Sequence, residues 1–123
     1  MSLVHTIVAL CLLLGAPFEV AESRVTVYAP GLMDSVNCME PCDLTATMTP
    51  ATPGIVAACA PDRLGQSVYV EGVGWRECQD TGGAINGTDV DVLIAAEDCY
   101  WVGGFCSHPW SADRQVVFVG SGR

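Results

Sequence analysis

The chain has 123 residues, 14 acidic and 5 basic side chains, and a formal net charge of −9, with no lysine. That length fits one domain, and a half-hydrophobic composition is too apolar for a disordered tail. Phosphate-binding surfaces and polybasic membrane patches both need clustered Lys and Arg, so this balance argues against nucleic acid and against a basic anchor.

Residues 7–14 read IVALCLLL, an uncharged apolar run. It is too short for the ~20 residues of a spanning helix and matches the core of a secretory leader. The small residues Ala21 and Ser23 place cleavage after Ser23, with a cut after Ala21 the close alternative. The expected organisation is a leader over 1–23 and one domain over 24–123. After cleavage no stable membrane insertion is expected, and the protein is read as secreted, to the extracellular space, periplasm or cell wall.

Six cysteines then remain: Cys38, Cys42, Cys59, Cys78, Cys99 and Cys106. An even count in a short exported chain implies disulfides. The pairing expected here is Cys38–Cys42, Cys59–Cys78 and Cys99–Cys106, one of many that six cysteines allow. A zinc site from Cys38, Cys42, Cys106 and His108 is the competing reading. An oxidising compartment favours the disulfides, so neither metal nor cofactor is expected.

Short β-rich runs separated by Gly, Pro, Asn and Asp follow. Residues 24–29 (RVTVYA) alternate as a strand and stop at Pro30-Gly31. Residues 44–48 and 54–59 read as strands around a Thr-Pro turn. Residues 67–71 and 74–79 form a hairpin across Gly72-Val73. Residues 88–95 and 115–119 are further strands. Residues 95–102 read as one or two helical turns closed by Gly103. Six or seven short strands and one short helix suggest a small all-β barrel or sandwich. Closure would hide the sheet edges, as suits a monomer.

Chemistry concentrates in residues 79–92, QDTGGAINGTDVDV. Asp89 and Asp91 lie two apart on a strand and so share one face, while Val90 and Val92 point to the core. Gly82, Gly83 and Gly87 permit a bend that returns Asp80 toward that face. Neighbouring carboxylates raise one another's pKa, which keeps one protonated as a general acid. A solvated acidic strand edge beside a glycine turn is the plainer account of the same spacing. Asn86-Gly87-Thr88 is a formal glycosylation sequon inside this segment, read as coincidental or as the mark of a host that does not glycosylate there.

The run from Asp80 to Asp91, DTGGAINGTDVD, resembles the signature D-T-G-G-A-I-K-G-x-R-I-D of the 3D (triple-aspartate) domain, shared with the C-terminal part of membrane-bound lytic transglycosylase A. Residues 64–74 (LGQSVYVEGVG) resemble that family's P-L-G-T-x-V-Y-I-x-G-x-G, and residues 25–28 (VTVY) its opening strand. The likeness spans roughly residues 25–119. It implies a six-stranded double-psi β-barrel, as in expansins, barwin, rare lipoprotein A and endoglucanase V. It places the catalytic acid at Asp91 and the family's second aspartate at Asp80. The first aspartate falls, without gaps, on Ala58, and Asp62 is displaced from that position by four residues. Asn86 and Asp89 stand where the family has Lys and Arg.

The expected function is therefore cleavage of peptidoglycan glycosidic bonds, as a lytic transglycosylase or O-glycosyl hydrolase in cell-wall turnover. Asp91 and Asp80 are the expected catalytic pair. Asp89, Thr81, Gly82, Gly83, Trp75 and Trp101 are the expected polysaccharide-binding residues. The alternative is a non-catalytic, expansin-like module whose Tyr and Trp rings stack on sugars. A small disulfide-rich defence protein without glycan chemistry is the third reading.

Overall fold

A computed structural model of the chain describes residues 2–29 and 44–120. Its elements are α1 (Leu3–Leu14), β1 (Phe18–Tyr28), β2 (Val56–Ala58), β3 (Ser67–Val70), β4 (Gly74–Asp80), β5 (Val90–Leu93), β6 (Tyr100–Val102), β7 (Phe105–Ser107) and β8 (Ala112–Val119). Six strands close a barrel in the order β1-β5-β2-β4-β3-β8, and β6 and β7 form a separate hairpin. Two neighbours run parallel, β1 with β5 and β2 with β4; the other barrel pairs are antiparallel.

Period-two alternation builds the core. Val25 and Val27 of β1, Val68 and Val70 of β3, Val90 and Val92 of β5, and Val116 and Phe118 of β8 meet inside the barrel. Val90 and Val92 are wholly buried, as the alternation requires. Filling a narrow barrel with β-branched side chains suits both the pleat and the small diameter. Cys59 and Cys78 lie in the same core and form a disulfide between the ends of β2 and β4. Cys99 and Cys106 form a second, which links the residue just before β6 to β7 and so staples the base of the β6–β7 hairpin. Cys106 is thereby unavailable as a zinc ligand. The expected Cys38–Cys42 pair lies outside the described residues.

The first strand begins earlier than its β-rich core indicates. β1 starts at Phe18, not Arg24, and residues Phe18 to Ser23 pair with Val119 to Arg114 of β8. The strand thus runs through the expected cleavage point. α1 packs Val4, Ile7 and Val8 against Tyr69 and Val117 on the outer face of β3 and β8.

Two local expectations need correction. Residues 95–102 do not form helical turns beyond a single 3₁₀ turn at Ala96–Asp98. Tyr100, Trp101 and Val102 are good strand formers. Gly103 and Gly104 take φ of 57° and 84°, the pair of positive angles that a two-residue hairpin turn demands. Residues 44–48 are a turn, with only Leu44 bridging Pro50. The Thr45 and Thr49 hydroxyls bond each other at 2.6 Å, and the Thr45 amide donates to the Thr49 carbonyl. Such side-chain bonds compete with a ladder for the same backbone.

Candidate functional site

The outer faces of β1, β5 and β2 and the end of β4 form the acidic site. In the parallel β1–β5 pair, Val25 opposes Val90 and Thr26 opposes Asp91. With the valines turned inward, Thr26 and Asp91 both turn outward. The Thr26 hydroxyl donates to Asp91 Oδ1 at 2.8 Å. One step back, Arg24 Nη2 pairs with Asp89 Oδ2 at 3.2 Å and also approaches the Ala84 carbonyl. Asp89 and Asp91 thus share a face, each held by a different residue of β1.

On the other side of β5 lies β2. Ala58 pairs with Asp91 on one flank and, after a register shift, with Asp80 of β4 on the other. Asp80 is fixed at both oxygens. Tyr28 OH donates to Oδ2 at 2.9 Å, and the Ala46 amide donates to Oδ1 at 3.0 Å. The turn carrying Ala46 is itself docked on β4, since the Thr47 hydroxyl donates to Gln79 Oε1 at 2.6 Å.

Electrostatics separate the groups. Burial, with a smaller push from Asp80, raises the Asp91 carboxyl to about 6, against the pull of the Thr26 hydrogen bond and of Arg24. Asp91 therefore keeps its proton in weakly acidic solution, where an ordinary aspartate has lost it. Burial, and next the Asp80 carboxylate, raise the Tyr28 phenol well above its usual range, so it stays a donor.

The glycine segment works differently from the simple bend expected of it. Asp80 and Asp91 do not meet by folding back across a turn. β4 and β5 each pair with β2, and the sheet brings the carboxylates to either side of Ala58. Gly82 and Gly83 are exposed in the connection, and buried Ile85 pins it, its amide donating to the Gly82 carbonyl. The Thr81 hydroxyl is buried beside Asp80 without a hydrogen-bond partner among the described residues.

The two tryptophans take no part in these hydrogen bonds. Trp75 is the second residue of β4, five residues before Asp80 and so roughly 16 Å away along the strand. It packs edge-on against Tyr69, with ring centres 5.5 Å apart, beneath α1. Trp101 lies on the β6–β7 hairpin opposite Cys106 and is 46% exposed. The site residues that composition and motif did not single out are Thr26, Tyr28, Arg24 and the Ala46 amide. Alternation of Val25 and Val27 places Thr26 and Tyr28 on one face, but their carboxylate partners follow only from the parallel pairing.

Among the described residues, no three His, Cys, Asp or Glu side chains are grouped to hold a metal ion. No helix among them is long and apolar enough to cross a membrane. No family model matches this chain, and no curated protein matches its sequence.

Proposed function

We propose that this protein cleaves glycosidic bonds in peptidoglycan, with Asp91 as the proton-transferring carboxyl. The observation that carries this reading is the pairing of a half-buried Asp91, raised to about 6, with a fully hydrogen-bonded Asp80 across Ala58. A general acid works best when its pKa lies near the working pH. Asp91 donates its proton to the glycosidic oxygen as the bond to the anomeric carbon breaks. The resulting carboxylate takes the proton of the muramyl C6 hydroxyl, whose oxygen closes a 1,6-anhydro ring. Asp80, held by Tyr28 and the Ala46 amide, orients the sugar or offsets positive charge at the anomeric carbon. The resemblance to the 3D domain and the closed six-stranded barrel support the same reading. So do two disulfides, which fit an oxidising compartment and hence export.

A specific observation favours the second reading, a non-catalytic polysaccharide-binding or wall-loosening module. Tyr100, Trp101 and Phe105 are exposed together on one hairpin, and such rings stack on sugar faces. Incubation of insoluble peptidoglycan with wild type and with Asp91→Asn separates the two. Soluble anhydro-muropeptides from wild type alone support cleavage by Asp91. Binding without soluble products supports the module, and full activity of the variant ends the Asp91 assignment.

A further inference from the structure

Four arginines lie among the described residues, and three have either a carboxylate partner or several carbonyl acceptors. Arg24 pairs with Asp89 and Arg63 with Glu19, while Arg114 donates to the carbonyls of Trp110, Glu71 and Pro109. Arg76 differs. It pairs across β3–β4 with Val68, whose side chain is in the core, so Arg76 also points into the barrel. It is only 8% exposed. Its one hydrogen bond runs from Nη1 to the neighbouring Trp75 carbonyl at 2.8 Å. Nε is buried without a partner, and Nη2 makes no hydrogen bond to the described residues. No carboxylate among them lies within ion-pair distance of it.

A buried guanidinium without a counter-charge is costly, and proteins rarely keep one unpaired. Arg76 lines a cavity of about 280 Å³ with Leu93, Ile94, Asp98, His108 and Trp110. The guanidinium carbon lies 5.6 Å from the Trp110 ring centre, and the His108 ring lies 4.7 Å from Trp110. Nε is sealed from solvent, so Nη2, neither bonded nor wholly buried, is the donor that a carboxylate oxygen can reach in a charge-assisted hydrogen bond. Leu93, Ile94 and Trp110 offer apolar contact for the rest of a ligand. Asp98, exposed at the cavity wall, disfavours a multiply charged anion such as phosphate.

We propose that this cavity is a second binding site, which takes the carboxylate group of a small, largely apolar molecule through the open Nη2 of Arg76. It is separate from the acidic site, because Arg76 points into the barrel and Asp91 points out of it. Burial also depresses the Arg76 pKa, as expected of a cation awaiting a partner.

Benzoate serves as the probe, with benzamide as its uncharged counterpart and inorganic phosphate as a competing anion class. Thermal unfolding and the Trp110 indole resonance are followed on the full chain at neutral pH. Benzoate should raise the melting temperature saturably, shift the Trp110 resonance, and bind at least tenfold more tightly than benzamide or phosphate. Arg76→Met, which keeps an unbranched apolar stem, should fold and lose the benzoate response. Equal binding of benzoate and benzamide, or a benzoate response retained by Arg76→Met, overturns the site. Phosphate binding as tight as benzoate overturns its assignment to carboxylates. The benzoate–benzamide comparison uses wild type alone, so the test stands even if the variant fails to fold.

Discussion

Asp80 and Asp91 flank a single residue: each is the register partner of Ala58, Asp80 from β4 and Asp91 from β5. Two strand spacings set their Cα atoms roughly 10 Å apart. Their different hydrogen-bond partners make them unequal, since Asp80 has a donor on each oxygen and Asp91 has Thr26 alone as a side-chain donor.

Asp91 costs the fold stability when ionised. Its carboxyl titrates at about 6 in the folded protein and at 3.8 by the ordinary value. Between these limits the native state holds a proton that the unfolded state has released, so stability falls as pH rises through that window. The cost is absent below about pH 4 and complete above about pH 6, at about 3 kcal/mol. Asp91→Asn, which cannot ionise, should be more stable than wild type by about 2–3 kcal/mol at pH 7 and nearly equal to it at pH 4. Urea denaturation at the two pH values checks this, and a pH-independent difference contradicts it.

Ala58 lies between Asp80 and Asp91 in the register and is 4% exposed. Ala58→Asp would set a third carboxyl between the existing two. Like charges in a shared, partly buried site cannot all ionise. The variant should lose about 2–4 kcal/mol at pH 7, recover part of it at pH 4, and titrate Asp91 higher still. Equal stability at both pH values would show that the three positions do not share a pocket.

Thr26 pulls against burial at Asp91, because its hydroxyl stabilises the ionised form. Thr26→Val should therefore raise the Asp91 pKa and move the alkaline limb of any glycan-cleavage profile upward. A downward shift would mean that the hydroxyl acts mainly as an acceptor from the protonated acid.

The N-terminal half of β1 closes the barrel. Residues Phe18 to Ser23 supply most of the register that joins β1 to β8. A chain beginning at Arg24 retains only the Arg24–Asp113 and Val25–Ala112 pairs of that seam. At about 1 kcal/mol per ladder hydrogen bond, it should be about 3–6 kcal/mol less stable than the full chain. Denaturation of the two chains side by side measures the difference. Equal midpoints would show that the seam is dispensable to the fold.

Much of this was legible in the residues themselves. Alternating valines announced the strands, and the inward turn of Val90 and Val92 fixed the outward turn of Asp91. Cys59–Cys78 and Cys99–Cys106 were expected and are present. The contribution of Phe18 to Ser23 was hidden because a leader-like apolar run precedes them and a leader's cleavage region would extend over them, although Gly15 and Pro17 mark a break just before Phe18. The partnership of Thr26 and Tyr28 with the carboxylates was hidden for another reason. Both contacts join residues more than fifty positions apart, and only the order of strands in the barrel brings them together. Gly103-Gly104 was misread because a helix C-terminus and a hairpin turn use the same left-handed glycine conformation.

The most direct test is a carboxyl-carbon NMR titration of Asp91 in wild type and in Asp80→Asn. Asp91 should titrate near 6 in wild type and lower once the Asp80 charge is removed. Titration in the ordinary aspartate range, unmoved by Asp80→Asn, would contradict a shared site in which Asp91 holds the proton.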